Sequence, residues 1–519
     1  MRIERTKNAT RNIAVGIVLK IYQLLIPFVI RTVMIHMLGM EYLGLNSLFT
    51  SILQVLNLAE LGIGSAMVFS MYKPIAEDDY DTINDLMKLY QFYYRIIGII
   101  ILIAGTAISP FIPRLIKSDI PSELNIFVLY FLNLGATVLS YWLFAYKNCL
   151  LTAHQRTDVI SKVTIMANTV MYIGQIIALA VFKSYYIYLI IALLGQVLIN
   201  ICTAWASDQM FPDYKPSKTF NRKLSKEINQ RVKDLFTSKV GEIIVNSADS
   251  IVISAFLGLT ILASYNSYYY ILTAIFSFII LFLQACTAGI GNSLIVETAE
   301  KNYNDLKKMT LMVTWISGFC SCCLMCLYQP FMKIWIGEEN ILSTSCVVCF
   351  VIYFFFRCIN QLFVVYKDAA GMWHEDRFRP ITTALTNLVL NLIMVQFIGI
   401  YGVLLSTVIS TLVVGMPWIL NNLFTVVFHM RMKEFIYNLV FYIFISVINI
   451  VITYGICSLI PLDKVGAIII RLLICCVIPN IIYLLAFKRR REFKDAVMLA
   501  DKILGNKIGA VHTILSKLL

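Results

Sequence analysis

Residues 12–38 read NIAVGIVLKIYQLLIPFVIRTVMIHML, an apolar run in which only Lys20, Arg31 and His36 are ionisable. As a helix rising 1.5 Å per residue, such a run reaches about 40 Å. That exceeds the roughly 30 Å hydrocarbon layer of a bilayer. Lipid offers no partner to unpaired backbone groups, so the run must be helical. Before it, Met1–Arg11 is polar with Arg2, Arg5, Lys7 and Arg11. The apolar segment is too long for a signal-peptide core, so the stretch is expected to be a retained first span with a cytoplasmic N-terminus.

The same pattern recurs outward along the chain. Hydrophobic residues make up 59% of the 519 and charged residues 14%, whereas soluble domains carry roughly 25% charged residues. There is too little polar surface to clothe soluble globules. About fourteen apolar stretches follow one another, approximately 12–38, 43–70, 89–113, 124–146, 158–182, 185–207, 234–258, 262–290, 309–330, 341–366, 379–397, 400–428, 435–460 and 465–487. The expected fold is an all-α polytopic membrane protein.

An even number of spans puts both termini on one side. The net charge is +13, and most of the basic residues fall in loops on the N-terminal side. They include Lys215, Lys218, Arg222, Lys223, Lys226, Arg231 and Lys233, then Lys488–Arg491. Basic loops stay in the cytoplasm, which makes the expected location a cytoplasmic membrane with both ends inside. This topology also explains the charge without nucleic acid. The opposite loops are too short to hold a catalytic domain.

An internal repeat at an offset near 220 organises the spans. Lys20 reappears as Lys239, Gly39 as Gly258, and Leu45-Asn46-Ser47 as Tyr265-Asn266-Ser267; His154 matches His374, and Asn168 matches Asn387. Six spans separate the copies, so both halves share one orientation and a pseudo-twofold axis along the membrane normal. Two six-helix lobes around a cleft is a transporter plan. The expected divisions are a lobe at 1–208, a basic linker at 209–233, a lobe at 234–428, two appended spans at 435–487 and an amphipathic tail at 488–519.

Motifs then carry a family resemblance. They are Arg11-Asn12-Ile13, the run Leu38-Gly39-Met40-Glu41-Tyr42-Leu43-Gly44-Leu45-Asn46, Ala59-Glu60-Leu61-Gly62-Ile63-Gly64, Tyr72-Lys73-Pro74 and Ile334-Trp335-Ile336-Gly337. Together with six plus six plus two spans, they resemble the polysaccharide-transport flippases of the multidrug/oligosaccharidyl-lipid/polysaccharide exporter superfamily. The resemblance implies translocation of undecaprenyl-pyrophosphate-linked oligosaccharides by alternating access, for surface polysaccharides such as O-antigen or capsule. Polysaccharide polymerase machinery is an implied partner. One departure is visible: Glu60 has no acidic counterpart, because Phe278-Ile279-Ile280 occupies the matching place.

Ionisable groups inside spans cost several kcal/mol unless they face a cavity or a partner. A pyrophosphate-linked glycan needs cations at depth, and arginine's planar fork suits phosphate. Lys20, Arg31, Lys239 and Arg357 are therefore candidates for the headgroup cleft. Snorkelling to the interface is the competing account of both lysines. Arg95 and Arg471 read as interfacial anchors. Asp249 and Glu60 could take up a proton, pair with a base or hold an ion. If Asn387, Asn391 and Thr407 face Asp249, they form a hard-oxygen cluster. The relatives that export the peptidoglycan lipid precursor place a sodium site among the same three helices. Coupling to Na+ or H+ is thus an expectation, with no other cofactor and no metal.

The remaining signals are weaker. Tyr265, Tyr268, Tyr269 and Tyr270 read as an interfacial belt. The thirteen cysteines lie in or beside apolar runs and read as small hydrophobes. The tail's apolar positions, Phe493, Val497, Ala500 and Leu504 onward, are expected to lie on the cytoplasmic leaflet. No nucleophile or carboxylate pair stands at a catalytic spacing, so the chain does not read as an enzyme. A cation-coupled multidrug antiporter and a membrane glycosyltransferase or polymerase are the alternatives. The first is disfavoured by cationic spans, the second by short external loops.

Overall fold

The computed structural model describes residues 5–60, 62–117, 120–121, 123–217, 222–460 and 465–501. Among the described residues the regular structure is all helical, without strands. They divide into two compact units, Met1–Ala263 and Ser264–Leu519.

The first unit holds α1 (Arg5–Met37), α2 (Met40–Leu56), α3 (Ile63–Ala76), α4 (Tyr80–Ile108), α5 (Ile126–Trp142), α6 (Lys147–Ala153), α7 (Thr157–Ala180), α8 (Tyr185–Met210) and α9 (Arg222–Leu257). Here α1 lies on α7, α7 on α8, α5 between α4 and α8, and α9 against α2 and α3. The seventh span, assigned to the second lobe by the repeat, therefore packs within the first compact unit.

The second unit is entered through α10 (Leu259–Val296), followed by α11 (Ala299–Ile336), α12 (Thr344–Ala369), α13 (Arg379–Ile398), α14 (Ile400–Ser410), α15 (Met416–Asn422), α16 (Lys433–Ser458), α17 (Val465–Phe487) and α18 (Arg491–Ala500). At its centre α11 contacts α12, α16, α17 and α18.

Eleven described helices are long and apolar enough to cross a membrane, and twelve if α5 and α6, bent by 56°, form one broken span. The second expected span is broken into α2 and α3 by a short tight turn, Asn57–Glu60. The seventh lies within α9. This arrangement is compatible with the fourteen stretches read from sequence.

The distribution of polarity is that of a membrane protein. Ile103, Met166, Val170 and Val451 are more than 60% exposed, whereas Asn387, Asn391, Ser406, Asn449 and Thr453 are fully buried. These five buried polar groups hydrogen-bond inside the protein, and the apolar exterior needs no water. Lipid-facing surfaces follow directly.

The repeat is visible in the backbone. Gly39 and Gly258 carry φ of 111° and 98°, values that side-chain-bearing residues rarely adopt. Each opens the next helix, α2 or α10. The repeat fails where Glu60 stands, for α10 runs unbroken through Phe278–Ile280 while α2 ends.

One expectation is corrected here. The tail does not begin on lipid: Phe493 and Val497 of α18 are buried with Leu311, Tyr442, Tyr483 and Phe487. Amphipathic spacing shows only that one face is apolar, and a helical bundle can cover it as well as lipid can. Residues 502–519 lie outside the described residues. Arg471 reaches toward the connection between α16 and α17. It is 6% exposed and donates to the carbonyl of Ile460 at 2.7 Å, tying α17 to the end of α16.

Candidate functional site

Arg357 sits in α12, the tenth expected span. Its Nη1 donates to the hydroxyls of Tyr269 and Tyr353, each at 2.9 Å. The guanidinium carbon lies 4.3 Å from the centre of the Phe276 ring. Tyr353 precedes Arg357 by one helical turn, so local geometry supplies one partner. Tyr269 and Phe276 come from the facing α10. Among the described residues no carboxylate lies within ion-pair distance of Arg357. Neutral oxygens and ring faces therefore stabilise the cation. Both of its hydrogen bonds to described residues leave from Nη1.

The tyrosines of α10 are not a belt. Tyr265 and Tyr268 are buried. The Tyr268 hydroxyl donates to Gln329 at 2.9 Å and accepts from the Leu342 backbone N–H at 3.3 Å. Tyr269 stacks between Tyr265 and Tyr353. Hydropathy misses this role because a tyrosine's ring suits a membrane interface and a protein interior equally.

Glu60 also finds its partners in tyrosines. Tyr94 of α4 donates to Oε1 at 2.7 Å and Tyr141 of α5 to Oε2 at 2.9 Å. Sequence reading singled out the carboxylate but neither hydroxyl. Both come from later spans, whose approach to Glu60 is a tertiary fact.

The oxygen cluster of the eleventh and twelfth spans is real within the second unit. Asn387 and Asn391 of α13 and Thr407 of α14 are joined by Ser406. Asn387 donates to Thr407 at 2.9 Å, Asn391 to Asn387 Oδ1 at 3.3 Å, and Ser406 to Asn391 Oδ1 at 2.6 Å. Asp249, on α9 of the first unit, is 8% exposed. Lys20 is exposed on α1. Arg31 is half-buried further along α1 and within electrostatic reach of Tyr188. The side chain of Lys239 lies outside the described residues.

Sequence reading missed a paired device at the loop ends. Asp158, 1% exposed, meets Arg11 at 2.9 Å, Arg156 at 3.0 Å and Lys162 at 3.7 Å. Asn12 accepts from the Asp158 backbone N–H and donates to the Gln155 carbonyl, which explains the N-terminal Arg-Asn motif. In the second half Asp376, 3% exposed, takes Arg379 in a two-pronged bond at 2.5 and 2.8 Å, with Lys367 at 3.7 Å. In the first unit His154 is buried against Phe211 and Tyr214. Burial lowers its pKa below the usual 6.5.

Cys326 of α11, Cys457 of α16 and Cys475 of α17 bring three buried sulfurs within 4.8 Å of one another. Three thiols so placed are a soft-metal donor set. Cys323, Leu327 and Tyr454 pack around them.

These features define a class: a multi-pass α-helical membrane protein with charged side chains held inside its spans. Residues 9–288 match the model of the family described as polysaccharide biosynthesis protein. The chain belongs to that family. Its structure is similar to that of the lipid II flippase MurJ in an inward closed conformation, at 16% identity and a TM-score of 0.67, covering 92% of this chain and 99% of that one. It is also similar to an inward-facing multidrug-resistance MATE transporter of the MOP superfamily, at 16% identity and a TM-score of 0.59, covering 79% and 96%. A third similar structure is that of a mutant of the Vibrio cholerae MATE transporter VcmN, at 12% identity and a TM-score of 0.54, covering 82% and 99%. No protein of curated function matches by sequence. At these identities the likeness is one of fold, shared with MurJ and the MATE transporters.

Proposed function

We propose that the protein translocates undecaprenyl-pyrophosphate-linked oligosaccharide repeat units across the cytoplasmic membrane by alternating access, for surface polysaccharide assembly. The observation that carries this reading is Arg357, a guanidinium in an apolar span held by two tyrosine hydroxyls and a phenylalanine ring, with no carboxylate among the described residues within ion-pair distance. A dianionic pyrophosphate is the ligand such a group lacks, and neighbouring tyrosine faces suit the first sugar. Lys20 and Lys239, on the repeat argument, and Arg31, for its depth in the first span, are proposed as further headgroup ligands. Asp249 and Glu60 in the first unit, and separately Asn387, Asn391 and Thr407 in the second, are the proposed candidates for Na+ or H+ coupling. Both termini belong in the cytoplasm on this reading, and a polysaccharide polymerase is the proposed consumer of the product.

The competing reading is a multidrug antiporter, whose cationic substrates Arg357 repels. Proteoliposomes containing the purified protein separate the two. A fluorescent short-chain polyprenyl-pyrophosphate oligosaccharide should become accessible in the opposite leaflet at a rate above protein-free vesicles, while a cationic dye should not be expelled. Dye export without lipid movement refutes the flippase reading.

A further inference from the structure

Helices α11, α16 and α17 each bring a cysteine to one point of the second unit. The sulfurs of Cys326, Cys457 and Cys475 lie within 4.8 Å of one another, and all three residues are buried. A cysteine packed as a small hydrophobe fills its place singly. That role does not require three helices to gather their thiols. The donors are sulfur alone, for among the described residues no His, Asp or Glu joins the group. Sulfurs this close share a centre no more than about 2.8 Å from each, so a shift of about half an ångström per thiol reaches the roughly 2.3 Å of a metal–sulfur bond.

The surroundings fix the thiols and supply a charge. Cys475 donates its S–H to the carbonyl of Cys322 on α11 at 3.9 Å. Cys323, Leu327, Tyr454 and Ile474 pack around the cluster. Arg471 stands one turn before Cys475 on α17 and is buried. It donates to the Ile460 carbonyl at 2.7 Å, and the Ile460 N–H donates to the carbonyl of Cys457 at 3.2 Å. The guanidinium is thereby tied to the turn that follows one cysteine and lies on the same helix face as another. Among the described residues its Nε has no hydrogen-bond partner, and no carboxylate lies within ion-pair distance.

We propose that Cys326, Cys457 and Cys475 bind a soft monovalent metal ion, Cu(I), which pins the two appended spans to α11. All-sulfur sites select Cu(I), zinc or iron–sulfur clusters. Three sulfurs complete a trigonal Cu(I) site, whereas structural zinc takes four ligands and iron–sulfur clusters four cysteines. Charge points the same way. Cu(I) on two thiolates and one thiol releases two protons and leaves the complex at −1, which the Arg471 cation balances. Zinc on four thiolates, with Cys323 as the fourth, would leave −2 in an apolar interior. The site is independent of the flippase reading, and its test needs no transport.

Full-length protein in nanodiscs, reduced and kept free of oxygen, is titrated against the coloured Cu(I) bicinchoninate complex. One Cu(I) per chain should be taken up, and X-ray absorption should show three neighbours, all sulfur. Cys457→Ser and Cys475→Ser should each weaken binding at least a hundredfold. Cys476→Ser, which alters the exposed next residue, should leave it unchanged. Arg471→Gln should weaken it about tenfold, and Arg471→Lys should restore most of that loss. Melting scans without copper establish that each variant is folded; alanine replaces serine where serine unfolds the chain. Added Cu(I) should raise the melting temperature of the unaltered protein and of Cys476→Ser, and leave that of Cys457→Ser where it was. No copper uptake, equal uptake by both ligand variants, or zinc held by four sulfurs in preference to Cu(I) overturns the proposal.

Discussion

Replacing Arg357 by lysine keeps a positive charge and removes the fork. In the structure both bonds to Tyr269 and Tyr353 leave from Nη1, and on the proposed reading Nη2 and Nε take a phosphate oxygen pair. A hydrogen bond to a charged group contributes about 1.5–3 kcal/mol, so two lost together amount to about 3–6 kcal/mol before the site relaxes. A tenfold change in affinity is about 1.4 kcal/mol. Arg357→Ala should therefore weaken binding of a soluble polyprenyl-pyrophosphate oligosaccharide by about a hundredfold or more. Arg357→Lys should recover about half of that free energy, because a point charge makes one directed bond where the fork makes two. Tyr269→Phe removes an acceptor that orients the guanidinium and leaves its charge untouched, so a loss of about tenfold is expected. Calorimetric titration of the purified protein reads all three, with circular dichroism to establish that each variant is folded. Full affinity in Arg357→Ala, or full recovery in the lysine variant, refutes the geometric argument.

Other outcomes follow from single positions. Asp249→Asn nearly preserves volume while removing a buried charge; transport should slow and lose its dependence on a sodium or proton gradient while glycan binding persists, as measured in proteoliposomes with each gradient imposed in turn. Gly318 packs under Tyr483, whose hydroxyl would lie 1.6 Å from an added Cβ; Gly318→Ala must displace that ring and its 2.8 Å bond to Ser446, which should cost about 1–3 kcal/mol and lower the melting temperature. His154 has a folded-state pKa depressed by burial, so its contribution to stability is complete above about pH 6.5 and falls as the pH drops through the folded value. His154→Gln should flatten that acid limb in thermal unfolding scans.

The sequence alone settled the class, the all-helical fold and the position of most spans. These follow from local properties, namely long apolar runs and a solvent that leaves no other way to satisfy the backbone. The repeat was legible for a similar reason. Gly39 and Gly258 recur because each must adopt the same positive φ at the start of a helix, and a backbone demand of that kind leaves a residue-type signature. Intramembrane charges were equally plain as anomalies, so Glu60 and Arg357 could be singled out at once.

Tertiary structure decided what those charges meet. Hydropathy distinguishes an apolar face from a polar one, but in a membrane the apolar face touches lipid or another helix with little difference in energy. Periodicity therefore could not show that α18 packs on protein, that Tyr269 turns inward to Arg357, or that Cys326, Cys457 and Cys475 converge. The same limit hid the tyrosines around Glu60. Their polarity is modest enough for any depth of the bilayer, and only the packing of the broken second span with the third and the bent fourth brings their hydroxyls to one carboxylate.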